Sequence, residues 1–138
     1  MSGVYVDKLK SRARAFLKEA ISAEDPDLAV FFAEQSMQLY IKAIHYELFG
    51  EIIRGHRLRE LLAILVKMLE KNGFNDVANS VLDFVDRYRR VLILAEEAYT
   101  MSRYGEISYS VEEARSVVEV AKNLIELLDE VVKVVKLG

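Results

Sequence analysis

Residues 101–110, MSRYGEISYS, form the most unusual loop of the chain, because Arg103, Tyr104, Glu106, Ser108 and Tyr109 crowd into it. Arg103 and Tyr109 together offer a cation, a stacking ring and a hydroxyl, which suits a phosphate with a base or ribose beside it. The competing structural use is that Arg103 and Tyr104 lock a helix end. Two arginine clusters, Arg54, Arg57 and Arg59, then Arg87, Arg89 and Arg90, carry forks that match phosphate oxygens. Glu51, Glu60, Asp83 and Asp86 interleave with them, however, and supply ordinary surface pairs. His56 stands at the start of a helical pattern, where its imidazole either caps free amides or lines a cleft. His45 lies between Ile44 and Tyr46 and reads as a partly buried histidine bonded to a neighbouring helix.

Several chemistries are excluded by spacing. A carboxylate-bridged di-iron bundle needs a glutamate three residues before a histidine on each of two helices. Lys42 and Ile53 occupy those positions before His45 and His56. The histidines also lack the four-residue spacing of a helical zinc pair, and the scattered glycines form no phosphate loop. No serine sits in a Gly-x-Ser-x-Gly elbow. No metal, cofactor or catalytic residue is therefore assigned.

The elements that position these residues are helices. Asp25-Pro26 starts one and Gly50 ends it, an acidic cap and N-terminal proline matched by a glycine stop. Between them, one apolar row runs Leu28, Phe31, Phe32, Leu39, Tyr46, Phe49 and another Val30, Ala33, Met37, Tyr40, Ile41, Ile44, Leu48. A helix apolar on most of its circumference is central. Before it, residues 4–22 predict an amphipathic helix with a basic face. After it, the pattern predicts a helix from about His56 to Lys71, then a long one opened by an Asn75 cap and reaching Ser102, with a break near residues 88–91. Ser110 and Glu113 form a capping box for a last helix, whose near-heptad stripe suits packing against its predecessor. The fold class is all-α, an up-and-down bundle of about five helices, in a single domain over residues 1–138.

Composition sets the outer bounds. The chain has 138 residues, 52% hydrophobic and 30% charged, so surplus apolar surface points to a subunit interface, a homodimer in the simplest case. No apolar run approaches the ~20 residues of a membrane span, and no signal-peptide core is present, which predicts a cytoplasmic protein. The absence of cysteine excludes disulfides and thiolate chemistry. A net charge of −3 argues against general affinity for nucleic acid, though not against a local basic site. Few glutamines with much Val, Glu and Arg suggest a thermophilic source.

Three stretches resemble the HEPN (higher eukaryotes and prokaryotes nucleotide-binding) family. AEQSMQLYIKAIHYELFG, residues 33–50, resembles its polar-marked second helix through Gln35 and Lys42. GHRLRELL, residues 55–62, resembles its His-x-Leu helix opening through His56 and Leu58. Residues 98–131 are similar to its Arg-Tyr segment and the acidic helix after it, through Tyr99, Arg103, Tyr104, Glu113 and Ala114, with Gly105 in place of a frequent proline. The resemblance implies a dimerising helical bundle. It also implies a nucleotide or RNA ligand, or a small nucleotidyltransferase partner, often in a toxin–antitoxin module. Active relatives are metal-independent ribonucleases with a histidine four to six residues after an arginine. Arg103 takes the arginine position, but Ile107, Ser108 and Tyr109 follow at that distance. A tyrosine with an ordinary pKa near 10 is a poor general base at neutral pH. The expectation is thus a non-catalytic or regulatory member, its ligand site drawn from Arg103, Tyr104, Tyr109, His56 and Arg57. The alternatives are a ribonuclease toxin in which Tyr109 or His56 replaces the missing base, and a purely structural assembly partner.

Overall fold

The computed structural model describes residues 2–100 and 107–138. Among them all regular structure is helical: α1 (Ser2–Ser22), α2 (Pro26–Phe49), α3 (Leu58–Lys71), α4 (Asn75–Arg87), α5 (Arg89–Thr100) and α6 (Val111–Leu137). No helix among the described residues is long and apolar enough to cross a membrane.

α2 is the axis of the bundle. Its start is fixed by Asp25, whose carboxylate accepts the Asp27 amide at 2.9 Å, with Pro26 in the first turn. Gly50 closes it at φ +69°, a left-handed conformation that donates its amide to the Tyr46 carbonyl. Between these caps Val30, Ala33, Met37, Tyr40, Ile41 and Ile44 are wholly buried. The other predicted row is only partly covered, and Leu28 stays exposed. α1 turns back along α2 after a three-residue turn. Small side chains at Ala13 and Ala20 allow a close approach, so that Ser36 Oγ reaches the Ala13 carbonyl at 2.7 Å.

α6 opens on the predicted capping box, with Ser110 Oγ accepting the Glu113 amide and Glu113 accepting the Ser110 amide. Its stripe, Val117, Ala121, Leu124 and Leu128, is buried chiefly against α2. The expected main partner was the preceding helix, but α2 offers the more continuous apolar face. Polar ties fasten the three long helices at their edge. Tyr40 of α2 donates its phenol to Asp129 of α6 and accepts from Arg14 of α1 at 2.8 Å. Glu47 lies between Lys10 and Lys136, at 2.7 and 2.6 Å.

Three local expectations shift. α3 begins at Leu58 rather than His56, because residues 50–57 run without helical structure. Asn75 is the first residue of α4, and the Phe74 cap position makes no side-chain bond. The long helix breaks at Tyr88, inside the expected window, where φ −109° and ψ 20° interrupt the repeat. That break divides one predicted helix into α4 and α5 and makes six helices among the described residues instead of five.

Candidate functional site

The 50–57 connector meets the last turn of α5 at one end of the bundle, and it carries two of the candidate residues, His56 and Arg57. Arg103 and Tyr104 lie outside the described residues.

Tyr109 is drawn inward. Its phenol donates to the Leu94 carbonyl of α5 at 3.1 Å, its backbone amide donates to Asp27 Oδ1 at 2.8 Å, and the residue is 7% exposed. Burial, with the carboxylates of Glu97, Asp27 and Glu113 adding to it, pushes the phenol up to about 12. This side chain is a protonated donor fixing the start of α6 to α2 and α5. His56 is partly exposed and stacks on Tyr99 of α5, with ring centroids 4.4 Å apart and planes 9° apart. Arg57 faces solvent and pairs with Glu60 at 3.4 Å. The three described candidates are therefore not gathered into one constellation. His56 and Tyr109 both touch α5, at positions about 7.5 Å apart along its axis.

His56 and Tyr99 belong instead to a cavity of about 520 Å³ between α1, α2, the connector and α5. Its polar lining is Gln38, Lys42 and Arg54, with Leu39 and Ile53 among its apolar walls, and no Asp or Glu lies among its described lining residues. Sequence reading missed Gln38 and, behind it, Glu34. Glu34 is wholly buried and accepts amide protons from Gln35 at 2.8 Å and Gln38 at 2.9 Å. Lys42 in turn donates to Gln38 Oε1 at 3.2 Å. Gln38 thus bridges an acid and an ammonium that do not meet directly. Desolvation raises the Glu34 carboxyl to about 7, against the pull of its amide donors and Lys42, and lowers Lys42 despite the opposing field of Glu34. The available signal was the spacing: Glu34, Gln38 and Lys42 recur every four residues on one face of a largely apolar helix.

His45 and Arg59 are taken up by contacts within the fold. His45 is fully buried, and its Nε2 lies 3.2 Å from Glu51 of the connector, where a neighbouring helix was expected to supply the partner. Arg59 is held by Glu96 of α5 through both carboxylate oxygens, at 2.9 and 3.0 Å. That bond draws the guanidinium away from any ligand role.

A family model described as HEPN domain matches residues 6–131. No curated protein and no solved structure matches the chain.

Proposed function

The chain belongs to the HEPN domain family, and on that basis we propose that it acts as a non-catalytic or regulatory member. In this reading it is a homodimer that binds a nucleotide, an RNA or a nucleotidyltransferase partner at a cleft. Arg103 supplies the phosphate-binding cation and Tyr104 and His56 the stacking surfaces, with Arg57 at the margin as an exposed positive charge. Tyr109 serves the same site from behind, by fixing where α6 begins.

One observation carries the non-catalytic part. Among the residues four to six places after Arg103, Tyr109 alone has a titratable side chain, and its phenol is buried, bonded to Leu94 and pushed up to about 12. A group so placed does not accept a proton from a ribose hydroxyl near neutral pH. The test is titration of the full chain with adenine mononucleotides and with short single-stranded RNA, beside Arg103→Ala and an RNA-degradation assay in EDTA. Binding that is lost in Arg103→Ala, with RNA left intact, is the expected result. Equal binding by the variant removes the site.

The ribonuclease reading has one observation of its own: His56 is partly exposed and stacked, so its imidazole stands at the cavity mouth rather than inside the core. RNA cleavage in EDTA that disappears in both Arg103→Ala and His56→Asn would establish that reading in place of the first.

A further inference from the structure

The cavity beside His56 has an electrostatic character that the Arg103 reading does not use. Its described walls contribute Lys42 and Arg54 and no carboxylate. Lys42 is partly buried, and what it meets is the Gln38 amide oxygen, with Glu34 on the other side of that amide. Among the described residues no carboxylate forms an ion pair with this cation, and a phosphate oxygen is a group that would complete it. The stacked His56–Tyr99 pair and the apolar Leu39 and Ile53 give the cavity a rim that accepts the body of a small molecule.

We propose that this cavity captures the phosphoryl group of a small phosphorylated ligand between Lys42 and Arg54, and that capture is coupled to proton uptake by Glu34. The coupling follows from the bridge. An anion that draws the Lys42 ammonium toward the cavity weakens its bond to Gln38 Oε1 and sets a second negative charge near Glu34. The groups facing Glu34 are Gln35, Gln38 and Lys42 on its own helix and Glu96 from α5, and Glu96 is already neutralised by Arg59. The remaining response is for Glu34 to take a proton. Its carboxyl titrates near 7, because burial raises it, so the response falls in the neutral range. Binding therefore tightens as pH falls through that range. The proposal shares His56 with the site above and does not call on Arg103.

Calorimetric titration of the full chain with inorganic sulfate tests it, since the sulfate charge is constant across neutral pH. Measurements in buffers of different ionisation heat count the protons taken up. Wild type is expected to bind sulfate with net proton uptake and to lose affinity as pH rises, by at most about tenfold per pH unit for one linked proton. Lys42→Gln should bind roughly tenfold more weakly, with Lys42→Arg restoring binding. Glu34→Gln should bind with neither proton uptake nor pH dependence. Absence of sulfate binding in wild type, undiminished binding in Lys42→Gln, or proton uptake persisting in Glu34→Gln would each overturn the proposal. Circular dichroism of every variant shows that the bundle is intact.

Discussion

Glu96 of α5 binds Arg59 three times over, taking the guanidinium with both oxygens and the Arg59 backbone amide with Oε2 at 3.1 Å. The third bond makes it the cap of α3. Arg57 stands at the cap position and makes no side-chain bond, so an orphan amide of the first turn finds its acceptor on another helix. Glu96 is only 10% exposed in its side chain and Arg59 32%, so the pair is partly shielded from water. It also raises the guanidinium above its ordinary pKa, Glu96 being the main cause.

Glu96→Ala should therefore cost about 2 kcal/mol of stability, combining a lost charged bond with a lost cap. Glu96→Gln, which can still accept the Arg59 amide, should cost less. Urea denaturation of the two variants checks the order.

For Tyr109, conversion to phenylalanine removes one hydrogen bond to the Leu94 carbonyl and keeps the ring volume. The expected loss is about 1 kcal/mol, with ligand affinity unchanged. A fully stable Tyr109→Phe that no longer binds nucleotide or RNA would make the phenol a ligand contact instead of a positioning group.

Glu34 sets a pH dependence of stability with a defined sign. Its folded carboxyl is raised to about 7 while the unfolded one keeps an ordinary value. The folded chain then holds the proton more tightly, so stability is greatest below the unfolded pKa and declines as pH rises through about 7. Glu34→Gln should flatten that decline and be the more stable protein above neutrality. Thermal melts across this pH range decide it.

The edge network offers a contrasting case. Tyr40→Phe leaves Arg14 and Asp129 facing one another, and both are exposed enough to regain water, at 55% and 40% of their side chains. A loss of about 1 kcal/mol is expected. Arg14→Met should cost no more, since an exposed ion pair contributes little. Chemical denaturation measures both.

Features written in neighbouring residues were legible in the sequence. Asp25-Pro26 and Gly50 mark the ends of α2, and Ser110 with Glu113 marks the start of α6, because caps act within one helical turn. The break at Tyr88 was located without a local marker as clear as proline or glycine. What escaped was non-local. Glu96 and Arg59 are far apart in the chain, so no pattern at His56 or Arg57 could announce that α5 would cap α3. Tyr109 looked like a loop side chain available to ligand, yet the distances to Leu94 and Asp27 show it folded inward. Glu34 was hidden for the opposite reason: an acid that shares a helix face with Gln38 and Lys42 reads as solvated until its burial is known.

The connector between α2 and α3 carries glycines at φ +69° and +108°, Gly50 and Gly55, with Ile52, Ile53 and Arg54 slung between them. Its course is thus set at two pivots where a side chain would be strained, while the intervening positions need only suit whatever lies beneath. Substitution at Ile52 or Arg54 can accordingly retune what the pocket prefers without disturbing the scaffold. Selection on these rim positions would give proteins of one shape a range of tastes.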